Sequence, residues 1–189
     1  MADIDAVNRA LPDFIGFVFA PSRRRVDSKT AAALKEKLDP QIKTVGVFVN
    51  ERIEIVAELY QNGIIDMAQL HGDEDDEYIR QLKKKCPVIK AVGVCTALPA
   101  LPLEPDYLLF DTVSAQRGGS GKAFDWHILN GYRGLPFFLA GGLSMENAAD
   151  AIHTLNPFCV DVSSSVETDG LKDPDKIEKI VSCVREITQ

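Results

Sequence analysis

The chain is poor in the residues that build metal and disulfide sites. Among its 189 residues there are only three histidines and four cysteines. The cysteines, Cys86, Cys95, Cys159 and Cys183, are far apart and form no Cys-x-x-C pair, which argues against a zinc knuckle or a disulfide framework. The histidines form no evident ligand set either. These absences predict a protein without a metal site.

Long apolar runs and an excess of positive charge are also missing. No window approaches the ~18 apolar residues of a membrane span, and the first five residues lack the basic and then apolar pattern of a secretion signal. We therefore predict a cytoplasmic protein with no membrane contact. With 28 acidic against 21 basic residues and a net charge of -7, the chain lacks the basic surface that nucleic acids require. No nucleic-acid partner is expected.

What the chain has instead is a repeated pattern of short apolar runs, each followed by a stretch with helical periodicity. This pattern is typical of βα units around a parallel sheet. Three prolines in residues 96–105 argue against a helix there, and Ser28 is the predicted N-cap of the second helix. Strands are predicted over residues 14–19, 43–49, 66–70, 88–94, 107–111, 136–140 and 159–162. Helices are predicted over residues 3–10, 29–38, 51–61, 75–85, 145–155 and 175–187.

The number of repeats predicts a single α/β domain, a (β/α)8 TIM barrel with its first β-strand missing. Such a barrel begins with a strand, whereas the first predicted element is the helix at 3–10. Seven strands would leave two open parallel-strand edges. A start codon placed too late, a shortened gene and a dimer that pairs these edges are three open explanations, so a monomer or a homodimer is expected.

Small residues follow the last two predicted strands. Gly141-Gly142 comes after one strand and Ser163-Ser164-Ser165 after the next. Backbone N–H groups at neighbouring carboxyl ends of parallel strands can form a phosphate site. A tight turn and a helix cap are the alternatives for either motif alone. The two motifs together predict a phosphorylated small-molecule substrate.

Two aspartates end apolar strands. Asp111 follows Tyr107-Leu108-Leu109-Phe110, and Asp161 belongs to the last predicted strand. A carboxyl group at this end of a barrel strand points into the mouth of the barrel, where partial burial favours the protonated form and makes it a candidate general acid. A helix cap or a loop ion pair is the alternative for each aspartate.

Further polar residues follow other predicted strands. Arg24, within Ser22-Arg23-Arg24-Arg25, can hold a carboxylate or a phosphate in a forked pair, with a solvated loop as the alternative. His71 also ends a strand, and a structural role is at least as well supported as a functional one. The segment Gly118-Gly119-Ser120-Gly121-Lys122 departs from the spacing of a nucleotide-binding loop and is interpreted as a lid.

As a set, these motifs resemble the phosphoribosylanthranilate isomerase family of tryptophan biosynthesis. They follow the family's order along nearly the whole chain, and the set is far more specific than any member. The segments that carry the resemblance are 16–19, 22–26, 46–50, 69–74, 109–112, 118–126, 139–143 and 160–168.

The resemblance implies a (β/α)8 barrel that performs an Amadori rearrangement of N-(5'-phosphoribosyl)anthranilate without a metal or other cofactor. It implies that Asp111 protonates the ribose ring oxygen and that Arg24 receives the anthranilate carboxylate. Asp161 corresponds to a family aspartate near the substrate, and His71 lies in a family motif that we assign to substrate binding. The residues that correspond to the phosphate loops are Gly141, Gly142, Ser164 and Ser165.

The chain departs from the family at two places. Ser165 stands where the family has a glycine, which we expect to weaken phosphate binding. The family's general base is a cysteine in a first strand upstream of the helix at 3–10, and the sequence has no such residue. Cys95 follows the strand that lies across a barrel from the first one, so it is a poor replacement for a base that must touch its proton.

Three functions therefore remain open. The first is an isomerase whose activity is impaired in the chain as printed. The second is a catalytically inactive phosphosugar-binding barrel that keeps the phosphate loops and Arg24. A different phosphate-handling barrel, such as an epimerase, is disfavoured because the chain has no evident metal-binding histidines.

Overall fold

The computed structural model describes residues 2–102, 104–112 and 125–188. Short 3-10 helices occur at Trp126–Leu129 and Ser164–Val166. The α-helices of these residues are α1 (Ala2–Ala10), α2 (Ser28–Lys35), α3 (Ile53–Gln61), α4 (Asp76–Lys83), α5 (Ala148–Leu155) and α6 (Pro174–Thr188). The strands are β1 (Phe14–Val18), β2 (Lys43–Phe48), β3 (Met67–Leu70), β4 (Val88–Val94), β5 (Tyr107–Thr112), β6 (Phe137–Leu139), β7 (Cys159–Val160), β8 (Glu167–Thr168) and β9 (Leu171–Lys172).

Two compact units make up the chain. The first unit comprises Leu11–Ala91 and Leu101–Tyr107, and the second comprises Ala2–Ala10, Val92–Ala100 and Leu108–Gln189. Strands β1 to β4 pair parallel in the first unit, and β5 to β7 pair parallel in the second. The strand order is β1 to β7, the order of the chain. The prediction of a parallel α/β fold with seven strands, one fewer than eight, is confirmed for the described residues.

The core of the first unit lies between the strands and helices α3 and α4. Strand β3 is buried along its whole length, as expected for a strand covered on both faces. A cluster of apolar residues fills this layer, and partly buried aromatic residues border it. Its buried members are Phe48, Val56, Leu59, Ile65, Ala68, Leu70, Ile79, Leu82, Cys86 and Val88.

Helix α4 shows how local sequence fixes an element. The side chain of Asp75 accepts a hydrogen bond from the Tyr78 N–H at 2.8 Å, which satisfies one free donor at the helix start. Acidic residues occupy the first turn and basic residues the last, in line with the helix dipole. Ile79 and Leu82, three positions apart, are fully buried. One face of α4 therefore covers the sheet.

In the second unit, α1 packs against α6. Ala6 of α1 is completely buried in a cluster with Ile177 and Ile180 of α6, and Arg9 pairs with Glu178 at 2.7 Å. The helix predicted at the start of the chain is thus present and integrated into this unit. None of the helices in the described part of the chain combines the length and apolar character that a membrane crossing requires.

Some local predictions were wrong. The N-cap of α2 is Asp27 and not Ser28, because the extended Asp27 accepts a hydrogen bond from the Thr30 N–H at 2.7 Å. The hairpin of β8 and β9 was not predicted. Its turn is Asp169-Gly170, both with positive φ, at 52° and 78°.

Candidate active site

Asp111 is the next-to-last residue of β5 and is half-buried. Its Oδ1 accepts a hydrogen bond from the Thr112 N–H at 2.7 Å. The pairing of Phe110 with Leu139 brings the end of β5 beside the turn that follows β6. A Cβ placed on Gly141 would lie 2.9 Å from Asp111 Oδ1. The structure therefore brings Asp111 and Gly141, both predicted as site residues, into direct contact.

The turn after β6 has a backbone conformation that favours glycine. Gly141 and Gly142 have φ of 81° and 73°, in the left-handed region where a Cβ is unfavourable. Asn147, at the start of α5, donates from Nδ2 to the Gly142 carbonyl at 2.9 Å and accepts from the Ser144 N–H at 2.8 Å. This amide holds the turn in place. Asn147 was not identified from the sequence.

Asp161 follows β7 and continues the backbone ladder, because its N–H donates to the Leu139 carbonyl at 2.8 Å. Its side chain is exposed. Asp111, near the end of β5, and Asp161, directly after β7, thus lie on the two strand ends that flank β6 in the second unit. Asp111 is half-buried, whereas Asp161 is exposed.

The serines after β7 form one 3-10 turn, Ser164–Val166. Lys172 donates to the Ser163 carbonyl at 2.8 Å and connects the turn to β9. Ser165 is not among the residues with positive φ, so a serine fits this position without backbone strain. Within the described residues, its buried Oγ has no hydrogen-bond partner. A buried hydroxyl without a partner is unfavourable until a ligand or water bonds to it.

Arg24 lies in the turn after β1 in the first unit. The Val26 N–H donates to the Val18 carbonyl at 2.9 Å, so the turn folds back onto the end of β1. The Arg24 N–H donates to Ser22 Oγ at 3.2 Å, and the residue is exposed. Partial desolvation and the neighbouring charge of Arg23 lower the pKa of Arg24. The guanidinium nonetheless stays protonated at neutral pH.

His71 directly follows β3 and is held by neighbours on two strands. Its N–H donates to the Phe48 carbonyl at 2.8 Å, and its Nδ1 lies 3.1 Å from Gln69 Nε2. Gln69 is itself buried within β3. The imidazole thus contacts a buried side chain two residues earlier.

The four cysteines differ in how deeply they are buried. Cys86 is buried, and desolvation together with the charge of Asp106 raises the pKa of its thiol to about 11, so the thiol is protonated at neutral pH. Cys95 is exposed just after β4, while Cys159 and Cys183 are half-buried. The predicted lid, Gly118–Lys122, lies outside the described residues.

Comparison with known families identifies the family to which this chain belongs. The family model described as N-(5'-phosphoribosyl)anthranilate (PRA) isomerase matches residues 1–183. The chain belongs to the PRA isomerase family. The PRA isomerase of Endomicrobium trichonymphae is 48% identical over 188 residues, which cover 98% of this chain and 94% of the relative.

Solved structures of PRA isomerases agree with this assignment. The enzyme from Thermotoga maritima superposes with a TM-score of 0.85 at 35% identity, covering 98% of this chain and 94% of its own. A PRA isomerase in complex with reduced 1-(o-carboxyphenylamino)-1-deoxyribulose 5-phosphate superposes with a TM-score of 0.82 at 32% identity, covering 98% and 93%. The family resemblance and the barrel class predicted from the motifs are confirmed.

Proposed function

We propose that the chain is a PRA isomerase of tryptophan biosynthesis. The observation that carries the proposal is the match of the family model over residues 1–183. The enzyme converts N-(5'-phosphoribosyl)anthranilate to 1-(2-carboxyphenylamino)-1-deoxyribulose 5-phosphate. All atoms of the substrate are kept, so the reaction needs proton transfers but no second substrate.

The chemistry requires one acid and one base. Protonation of the ribose ring oxygen opens the ring and leaves an iminium at C1; loss of the C2 proton then gives an enol, which becomes the ketone. We assign the acid to Asp111. The supporting geometry is its half-buried position at the end of β5, in contact with Gly141. Positioned acids and bases accelerate such steps by about 10²- to 10⁴-fold each.

The remaining assignments concern substrate binding. We propose that Arg24 holds the anthranilate carboxylate, since its guanidinium is exposed and permanently charged. We assign His71 and Asp161 to contacts with the rest of the substrate. The groups proposed to bind the phosphate, through backbone N–H groups or hydroxyls, are Gly141, Gly142, Ser164 and Ser165.

The hydroxyl of Ser165, which has no partner among the described residues, argues against the expected loss of phosphate affinity. A glycine at this position would offer only its N–H, whereas Ser165 adds a buried Oγ that has no partner among the residues described. Because Ser165 is not at positive φ, the substitution carries no backbone cost. We propose that phosphate binding persists with serine here, in a cytoplasmic enzyme that needs no cofactor.

One observation favours a second candidate, a phosphosugar-binding barrel without activity. Among the four cysteines, the buried Cys86 has a pKa of about 11, which makes it a poor base. Such a protein would bind the product analogue and leave the substrate unchanged. The two candidates are separated by measuring both binding and turnover.

The test of the acid uses Asp111→Asn in two polypeptides. One is the 189-residue chain, and the other carries an additional upstream strand with a cysteine of the Lys-Ile-Cys-Gly type. We expect Asp111→Asn to lower turnover of N-(5'-phosphoribosyl)anthranilate by about 10²- to 10⁴-fold, while affinity for the reduced product analogue changes little. Asp150→Asn, at an exposed position on α5, is the matched control. Full turnover by Asp111→Asn would exclude this acid.

A further inference from the structure

Glu74 and Lys90 form a buried ion pair in the first unit. Lys90 Nζ lies 2.7 Å from Glu74 Oε2, and their side chains are only 9% and 1% exposed. Lys90 lies in the middle of β4, and Glu74 in the segment between β3 and α4. Neither residue belongs to the sites described above.

The carboxylate of Glu74 accepts hydrogen bonds from three segments of the chain. Oε1 accepts from the Asn50 N–H at 2.7 Å, and Oε2 accepts from the Gly72 N–H at 3.0 Å as well as from Lys90. Lys90 Nζ also donates to the Gly72 carbonyl at 2.6 Å. The pair therefore ties the turn after β2 and the turn after β3 to strand β4.

Both turns are closely packed around this pair. Asn50 has φ of 51°, and its Oδ1 accepts from the Asp73 N–H at 2.8 Å. A Cβ on Gly72 would lie 2.8 Å from both the Asn50 nitrogen and Glu74 Oε1. Only glycine fits between them.

His71 lies between these fixed points. Its own N–H is bonded to the Phe48 carbonyl, and the next peptide N–H, that of Gly72, is bonded to Glu74. Both peptide groups that flank the His71 Cα are thus anchored. We propose that Glu74 and Lys90 are positioning residues that hold His71 in the orientation it needs to bind the substrate. The proposal rests on the proposed function, in which His71 contacts the substrate.

The energetics of buried charges support a positional role. Removing two charges from water is costly, and apolar replacements of a buried pair are often as stable as the pair itself. Stability alone therefore does not account for an ammonium inside an apolar strand. An apolar pair would not supply the hydrogen bonds that Glu74 and Lys90 make to the Asn50 N–H, the Gly72 N–H and the Gly72 carbonyl.

The test compares Glu74→Gln with a control in the same unit. Lys35→Met removes the Lys35–Asp66 pair, whose atoms are 2.6 Å apart; Asp66 directly precedes β3, at the opposite end of that strand from His71. Amide hydrogen exchange, the NMR signals of the His71 ring and affinity for the reduced product analogue are measured at a temperature where all variants are folded.

For Glu74→Gln we expect faster exchange of the Asn50 and Gly72 amides, shifted His71 ring signals and about tenfold weaker analogue binding, as for the loss of one positioned hydrogen bond. Lys35→Met is expected to keep the amide exchange rates, the His71 ring signals and the analogue affinity at parental values. At most, its melting temperature should fall. The double variant Glu74→Gln/Lys90→Met removes the unpaired ammonium. It should regain thermal stability but not analogue affinity.

Three results would overturn the proposal. The first is an analogue affinity of Glu74→Gln equal to that of the parent despite faster exchange at Gly72. The second is a double variant that binds the analogue as tightly as the parent. The third is slow exchange of the Asn50 and Gly72 amides in Glu74→Gln. A parent that neither binds nor converts the substrate would instead count against the proposed function.

Discussion

At the residue scale, the backbone conformation of Gly141 and its lack of a side chain both affect Asp111, the proposed acid. Its φ of 81° places it in the left-handed region, and a Cβ there would lie 2.6 Å from the Thr112 nitrogen and 2.9 Å from Asp111 Oδ1. Any side chain would push against the carboxylate that we assign as the acid. Gly141 therefore keeps space for Asp111 as well as forming a turn.

Gly141→Ala should affect catalysis beyond its effect on folding. The left-handed conformation costs an alanine about 1–2 kcal/mol, and displacement of Asp111 should lower kcat by about tenfold or more, because small shifts of an acid are costly. Gly131→Ala is the matched control, since Gly131 has φ of 79° with nothing within 4 Å of a Cβ. Denaturant unfolding and steady-state kinetics measure the two effects. Equal kcat values for the two variants would contradict the close packing on Asp111.

The proposed site residues Asp111 and Gly141 were easier to predict from sequence than the proposed positioning residues Glu74 and Lys90. Asp111 and Gly141 were predicted as site residues because each follows an apolar run, and parallel strands bring their carboxyl ends to one edge. Glu74 was not singled out because the role that we propose for it depends on donors from Asn50 and Gly72, which converge only after folding. A signal for Lys90 was present, since a lysine interrupts the apolar run Val88–Val94 and buried lysines need partners.

At the element scale, the N-cap of α2 lies one residue earlier than the sequence pattern indicated. Asp27 and Ser28 are both good N-cap types, so composition alone could not choose between them. The structure selects Asp27, whose carboxylate bonds to the Thr30 N–H. Hydrogen bonding with the Thr30 side chain, and then with the Thr30 N–H, lowers the pKa of Asp27 below its usual value.

Replacing the N-cap residue Asp27 should therefore lower the melting temperature by an amount that depends on pH. We expect Asp27→Ala to lower the melting temperature by about 2–4 °C at neutral pH, with little change in Ser28→Ala. A carboxyl group whose pKa is lowered by folding stabilises the protein above its unfolded pKa of about 3.9 and loses this effect as pH falls through the folded value. The melting curves of parent and Asp27→Ala, followed by circular dichroism, should converge at low pH. A larger effect of Ser28→Ala would restore Ser28 as the cap.

Long periodic elements were predicted well, and short ones were not. Strand β4 has its predicted bounds, and the helix predicted at 175–187 is α6, Pro174–Thr188, because burial of one face dominates their energetics. The described residues between β4 and β5 contain no helix, as the prolines indicated. Strands β8 and β9 have two residues each, too few for a periodic signal, although Asp169-Gly170 is a typical hairpin turn.

At the scale of the whole molecule, the strand order of the described residues runs from β1 to β7, and within these residues β1 and β7 are the end strands. An end strand of a parallel sheet has backbone groups able to pair with a further strand. An added upstream strand can therefore contribute in two ways, by pairing with the sheet and by carrying the cysteine that the family resemblance implies as the base. These contributions have different measurable consequences.

We expect the 189-residue chain to turn over N-(5'-phosphoribosyl)anthranilate about 10²- to 10⁴-fold more slowly than the version with an upstream Cys-bearing strand, as for loss of a general base. The matched control carries serine in place of that cysteine. If the strand supplies packing and the thiol supplies the base, both extensions raise the melting temperature, and only the cysteine form raises kcat. Equal rates for the 189-residue chain and the cysteine form would mean that the base lies within the printed sequence. Equal rates for the cysteine and serine forms, both above the 189-residue chain, would instead assign the gain to the strand, because the thiol would then be dispensable.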